Sequence, residues 1–173
     1  TVIGDSAFAN TSIATIVIPN GVTTIGANAF ANTLLTEIAI PNTVTTLGTS
    51  VFAGTLITEI AIPDSVTTLD VDTFKGMEVI EKITLGAGIT EIPAEMCKGL
   101  TTLKTVVIGN NVVSIGANAF DGTSITTLDI PDSVTTLDVD AFKGMEVIEK
   151  ITLGAGITEI PAKMFNGLAT LKT

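Results

Sequence analysis

The sequence repeats itself every 22 or 23 residues along its whole length, and this periodicity restricts the chain to very few folds. An Ile or Leu followed by Pro or Gly opens each unit, as in Ile18-Pro19 and Leu85-Gly86. Twelve residues after that Ile or Leu comes one further column: Phe30, Phe52, Phe74, Cys97, Phe120, Phe142 and Phe165, with Phe8 in a truncated first unit. A unit this short cannot bury its own apolar face, so successive units must stack and join their columns into one core. The period therefore predicts a solenoid.

The repeats organise residues 1–173 as a single domain. The predicted units are a partial unit 1–17, then 18–39, 40–61, 62–84, 85–107, 108–129, 130–152 and a partial unit 153–173. Residues 63–96 and 131–164 are identical except at Thr73/Ala141 and Glu95/Lys163. Such near-identity is typical of a recently copied block in an expandable array. We therefore expect the chain, which begins with Thr1 rather than Met, to be a piece of a longer array.

Each unit predicts three local structures. The segment L-x-x-I-x-I, as in residues 35–40, alternates with period two and predicts a short parallel strand. The segment Val-x-x-Ile, as in residues 22–25, predicts a second extended stretch. The segment Ala-Asn-Ala-Phe, residues 27–30, predicts a tight helical or 3₁₀ turn that points the Phe inward. Cys97 stands in the Phe column and is expected to be buried as a small hydrophobe.

The combined pattern L-x-x-I-x-I-P-x-x-V-x-x-I-x-x-x-A-F resembles the BspA-type leucine-rich repeat family over essentially the whole chain. This resemblance implies a leucine-rich repeat solenoid, a right-handed β-α superhelix rich in β-structure. Short parallel strands would line its concave face, with turns, 3₁₀ helices and extended segments on the convex side. Family members are largely cell-surface proteins of anaerobic bacteria and mucosal protists, and several are implicated in adhesion. The resemblance thus implies an extracellular protein that binds a host matrix or cell-surface protein. One departure is that the family often carries Cys shortly after the Phe, where this chain has Asn, Gly or Thr.

The composition argues against catalysis and against nucleic-acid binding. The chain has no His and no Arg, which excludes a Ser-His-Asp or Cys-His centre, a His metal site and an arginine clamp for phosphate. Eight Lys stand against eighteen acids, and the net charge of −10 has the wrong sign for binding a phosphate backbone. No apolar run approaches the roughly 20 residues of a membrane span. We predict a non-enzymatic protein without a cofactor.

The predicted binding surface is the concave face. In such a coil the residues that flank the inward Ile of each strand point outward from the core. The predicted binding residues are Glu37, Ala39, Glu59, Ala61, Lys82, Thr84, Thr105, Val107, Thr127, Asp129 and Lys150. These side chains are mostly small and include no Tyr, Trp or Arg, the usual anchors of tight interfaces. Binding is therefore expected to be weak at each site and to gain by avidity over many repeats.

Two further hypotheses arise from the charge pattern and from the ends of the chain. Asp70, Asp72 and Glu95 form either a weak cation site or a solvated acidic face, since Ca²⁺ requires six to eight oxygen ligands. Stacked pairs of opposite charge favour the solvated face, and we expect Glu59 beside Lys82, Glu81 beside Lys104, and Asp121 beside Lys143. Neither end shows the polar cap that a repeat array requires. An alternative function is therefore structural, an array that assembles end to end through the apolar side chains Ile3, Phe8, Phe165 and Leu171.

Overall fold

Short parallel strands in two columns build the fold. The computed structural model describes residues 1–172, which form a parallel β-solenoid of about seven turns with no helix among them. The front column consists of β4 (Glu59–Ala61), β5 (Lys82–Thr84), β7 (Thr105–Val107), β9 (Thr127–Asp129) and β11 (Lys150–Thr152). The back column consists of β1 (Val2–Ile3), β2 (Thr24–Ile25), β3 (Thr46–Leu47), β6 (Glu91–Ile92), β8 (Ser114–Ile115) and β10 (Thr136–Leu137). The predicted leucine-rich repeat solenoid is confirmed, whereas the helical part of the β-α superhelix is wrong.

The alternation of apolar and polar residues determines which side chains enter the core. In β4 the buried Ile60 lies between the exposed Glu59 and Ala61, and β7 and β9 repeat this pattern. The inward side chains belong to one continuous cluster that runs the length of the coil. Its aromatic column is stacked at the first turns, where the ring centroids of Phe8 and Phe30 lie 5.4 Å apart. The core therefore grows by one layer for each repeat, as the period predicts.

The turn that carries each Phe is not the predicted 3₁₀ helix. Two residues around Phe30, Asn28 and Asn32, have positive φ angles of 55° and 56°. A 3₁₀ helix needs consecutive right-handed residues, so these two left-handed positions break it. The Phe30 N–H instead donates to the Val51 carbonyl of the next coil at 3.0 Å. The turns are thus linked to each other by hydrogen bonds along the solenoid.

The duplicated Asp-x-Asp segments form a different turn. Asp72 and Asp140 occupy the position that is left-handed at Asn28, yet neither has a positive φ. Their backbone N–H groups donate within the turn, to the carboxylates of Asp70 and Asp138, each at 3.1 Å. These local bonds are Asx-type turns. No backbone bond then links the turn at Phe74 to the turn at Cys97, nor the turn at Phe142 to that at Phe165, among the residues described.

The length of each repeat determines whether its front strand pairs with the strand before it. The three 23-residue repeats, 62–84, 85–107 and 130–152, place β5, β7 and β11 in hydrogen-bonded ladders with β4, β5 and β9 respectively. The three 22-residue repeats, 18–39, 40–61 and 108–129, form no such ladder with the preceding repeat within residues 1–172. One extra residue lengthens the link between the turn and the next strand by up to about 3.5 Å. That length lets the strand reach its neighbour.

A polar side chain distinguishes the two kinds of repeat. In the 22-residue repeats a buried Thr lies three residues after the Phe and donates its hydroxyl to the Phe carbonyl, as Thr55 does to Phe52 at 2.8 Å. In the 23-residue repeats the corresponding residue is the buried Met77, Leu100 or Met145. The Thr closes the turn one residue earlier, because its hydroxyl satisfies the carbonyl that the longer turn bonds through its backbone.

The first two front segments depart from the sequence prediction. Residues 14–18 and 36–40 follow the strand pattern but form no strand, and no backbone hydrogen bond joins them to each other. Both belong to steps of 22 residues, so the repeat-length rule accounts for the difference. Ile16, Ile38 and Ile40 are consequently only half-buried.

Candidate binding face

The predicted binding residues lie on one surface, which we call the front face: the outward side chains of β4, β5, β7, β9 and β11 together with those of residues 15–17 and 37–39. Parallel register places Glu59, Lys82 and Thr105 in one row and Ala61, Thr84 and Val107 in the next. The same rows continue in the next sheet, where Thr127 pairs with Lys150 and Asp129 with Thr152. Glu37 and Ala39 are exposed but lie outside the ladders. The structure therefore splits the predicted face into two paired sheets and one unpaired region.

The side chains of the front face are held from below. Ile60, Ile83 and Val106 point into the core beneath the first sheet and are at most 7 % exposed. Above them Val107 is 45 % exposed, and Thr84 is half-buried. A rigid ladder with small outward side chains gives a nearly flat surface. Such a surface can be covered by a partner without rearranging the backbone.

The charges of this surface are largely paired across successive coils. Lys82 lies 3.7 Å from Glu59, and Lys104 lies 3.0 Å from Glu81, as the sequence predicts. A third pair joins Lys172 to Glu149 at 2.7 Å. Glu37 has no ion-pair partner in the part of the chain that the structure describes. The front face is thus neutralised from Glu59 to Lys104 and carries an unpaired carboxylate nearer its N-terminal end.

The predicted pair of Asp121 and Lys143 is wrong. No ion pair joins these two residues, whose turns are adjacent. The Asp121 carboxylate lies against Gly144, so close that a Cβ at Gly144 would stand 1.7 Å from its Oδ1 atom. Gly144 also has a φ of 77°, which favours Gly. Backbone shape rather than charge places the Asp121 side chain.

The acidic residues considered as a cation site are occupied by other contacts. Asp72 lies 3.3 Å from Lys75, and Glu95 lies 2.6 Å from Lys98. The hydrogen bond from Lys98 to Glu95 raises the pKa of the Lys98 ammonium. The Asp70 carboxylate accepts the Asp72 N–H. Within residues 1–172, no group of three or more His, Cys, Asp or Glu residues is placed to hold a metal ion.

Narrow clefts open on the front face where the ladder is missing. A cleft of about 360 Å³ lies between residues 15–17 and 37–39. Another, of about 350 Å³, separates β7 from β9. Both lie at 22-residue steps. Sequence reasoning missed these clefts, although the choice between Thr and Met or Leu after the Phe is a signal that could have located them.

Cys97 and the ends of the coil lie where the sequence predicts. Cys97 is fully buried, and burial raises the pKa of its thiol. Ile3, Phe8, Phe165 and Leu171 are only partly buried against the ends of the core. Phe165 stacks on Phe142 with centroids 5.8 Å apart and has no ring beyond it. Each end of the chain thus presents an incomplete apolar layer.

These features define the class of the protein as a parallel repeat solenoid without helices in residues 1–172. Its sequence matches the BspA type leucine rich repeat region, in six copies, over residues 1–123 and 80–173. The chain therefore belongs to the BspA-type leucine-rich repeat family. No curated protein matches the sequence.

Solved structures share the fold at low sequence identity. A leucine rich cell surface protein from Faecalibacterium prausnitzii is 21 % identical with a TM-score of 0.62, over 99 % of this chain and 56 % of that one. The pneumococcal vaccine antigen PcpA is 20 % identical with a TM-score of 0.61, over 99 % and 53 %. A leucine rich repeat protein of T. pallidum is 18 % identical with a TM-score of 0.67, over 98 % and 71 %. The chain spans just over half of the first two proteins, and these likenesses show the fold alone.

The search for membrane-spanning segments covered residues 1–172. It found no helix with the length and apolar character needed to cross a bilayer.

Proposed function

We propose that this chain is a non-enzymatic protein-binding module of a cell-surface protein, and that it adheres to a host matrix or cell-surface protein through its front face. The observation that carries the proposal is the register of β4, β5 and β7, which aligns nine exposed or half-buried outward and inward positions into one rigid sheet. Its outward rows are held over a fully packed core. Membership of a family of repeat modules supports binding rather than turnover.

The surface location rests on the family and on the descriptions of similar proteins. One similar structure is described as a cell surface protein and another as a vaccine antigen. Such proteins are exposed to other macromolecules, and a long repeat array multiplies weak contacts into useful avidity. We extend this location and mode of binding to the present chain.

Two valines of equal exposure allow a matched test of the binding surface. Val107 on the front face is 45 % exposed, and Val113, which precedes β8 on the back of the coil, is 46 % exposed. Val107→Glu should abolish capture on a panel of immobilised matrix proteins, while Val113→Glu should leave it intact. Circular dichroism and thermal unfolding check that both variants fold. Equal capture by both variants would overturn the front face as the binding surface.

The exposed end layers support a second function, assembly of copies end to end. The Phe8 ring stacks on Phe30 from one side only, and Ile160 at the other end of the coil is 53 % exposed. Joining two such ends would continue the core in the same columns. Light scattering over a dilution series should then show polymers that Ile3→Glu or Leu171→Glu converts to monomers. A monomer at every concentration would contradict assembly by the 173-residue chain.

A further inference from the structure

The N-terminal part of the front face offers a row of backbone groups that have no protein partner. Residues 36–40 form no backbone hydrogen bond with the coil on either side, and residues 14–18 lie across the cleft in the same condition. By contrast, Lys82 and Ile62 donate into the ladder of β4 and β5 at 3.1 and 2.8 Å. Unpaired N–H and C=O groups in extended backbone are a template for an additional strand.

The side chains around this cleft point to the same occupant. Ile16, Ile38 and Ile40 would be fully buried in a closed coil, but here they are half-buried. Val17, at the rim, is 91 % exposed. An occupant that alternates apolar side chains on one face would cover the isoleucines while its backbone met the free groups.

Insertion here disrupts no existing front-face bond. At the junction of β4 with β5, an incoming strand would have to break a formed ladder. At the junction of residues 14–18 with 36–40 it would break none, and the turns behind stay linked through bonds such as Phe30 N–H to Val51 O at 3.0 Å. The cleft between β7 and β9 lacks the half-buried isoleucines, because Val106 and Leu128 beneath it are already buried. The first cleft is therefore the better acceptor.

Charge indicates what the added strand carries. Glu59 is matched by Lys82 of the strand that pairs with it, at 3.7 Å. Glu37 holds the same place one coil earlier and lacks such a partner among the described ion pairs. We infer that the cleft between residues 14–18 and 36–40 accepts an extended segment of a partner protein, apolar at alternate positions and basic opposite Glu37. This inference rests on the proposed binding function and specifies the form of the partner.

The chain supplies its own probe for this site. A synthetic peptide with the sequence of residues 79–86 contains β5, which already pairs with a Glu-bearing strand. Added to the full chain, this peptide should slow hydrogen exchange of the amides of residues 36–40 by about tenfold or more. The same peptide with Pro in place of the residue corresponding to Ile83 should not do so, because Pro removes a donor and blocks pairing. Glu37→Lys should weaken binding of the unmodified peptide several-fold. No protection of residues 36–40, or equal protection by the Pro peptide, would overturn the inference.

A change of repeat length separates this inference from the proposed function. Replacing residues 31–34 with the sequence of residues 75–79 converts the repeat 18–39 to 23 residues and should close the cleft. This variant should fold, lose peptide binding and lose capture of the protein partner. If it loses peptide binding yet captures the partner as before, while Val107→Glu still abolishes capture, the front-face function stands and the strand-acceptor site is overturned.

Discussion

The ammonium group of Lys82 lies 3.7 Å from the carboxylate of Glu59, across the ladder that joins β5 to β4. The two side chains are 43 % and 69 % exposed, so water and salt screen them. We predict that Lys82→Met lowers the free energy of unfolding by less than about 0.5 kcal/mol. Urea denaturation at low and high salt measures this. A loss above about 1.5 kcal/mol would mean that the pair, rather than the strand ladder, holds the two coils together.

Glu95 occupies a left-handed backbone position that suits Asn better. Its φ is 62°, and the corresponding residues Asn28 and Asn118 have φ angles of 55° and 53°. Asn tolerates this region more readily than Glu. We expect Glu95→Asn to raise the free energy of unfolding by about 0.5 kcal/mol, after loss of the exposed pair with Lys98. Lys98→Met measures the loss of that pair alone. A net destabilisation by Glu95→Asn greater than that of Lys98→Met would contradict the backbone argument.

The buried thiol of Cys97 should make stability depend on alkaline pH. Burial raises the pKa of the thiol in the folded chain, so only the unfolded chain ionises near the ordinary value of about 8.5. The unfolded state then binds fewer protons than the folded state. Stability should be full below about pH 8.5 and should fall above it by at most about 1.4 kcal/mol per pH unit.

Cys97→Val provides the control for this pH dependence. Urea unfolding at pH 7, 9 and 10 should show a steeper loss for the parent chain than for the variant. Parallel curves would show that Cys97 ionises equally in both states. The thiol should also react with an alkylating reagent only as fast as the chain opens, because it has no exposed surface in the folded state.

Repeat length offers a direct test of how the ladder forms. Replacing residues 75–79 with the sequence of residues 31–34 shortens the repeat 62–84 to 22 residues. We expect the ladder of β4 and β5 to open, and the amides of Lys82 and Ile62 to lose at least about tenfold in hydrogen-exchange protection. The amide of Val113, which donates to Thr90 at 2.8 Å on the back of the coil, serves as the internal control. Retained protection at Lys82 would show that something other than repeat length closes the junction.

The sequence predicts the columns of this fold far better than it predicts the hydrogen bonds between them. The spacing of Phe30, Phe52 and their successors determines which side chains are inward, because burial depends on periodicity alone. The paired rows of Glu59, Lys82 and Thr105 follow from the same spacing. Bonding between coils depends instead on local competition. Asp72 donates to a nearby carboxylate rather than to the next coil, and the residues around Phe30 choose left-handed turns over a 3₁₀ helix.

The candidate site shows the same division. Sequence periodicity places Glu37 and Glu59 in one column, but it does not reveal that only Glu59 lies in a ladder. That difference comes from one residue of repeat length between the Phe and the next strand. The failure of Asp121 to meet Lys143 has a similar origin, since contact with Gly144 positions the carboxylate. Both are effects of backbone path, which residue patterns do not encode directly.

The central claim is that the front face is the surface that binds a partner, and a hydrogen-exchange footprint tests it most directly. Exchange is compared for the free chain and for the chain bound to a protein that it captures from the matrix panel. We predict added protection confined to residues 36–40 and to the front strands β4, β5 and β7. Protection confined to the back strands β2, β3 and β8, with the front strands unchanged, would contradict the claim.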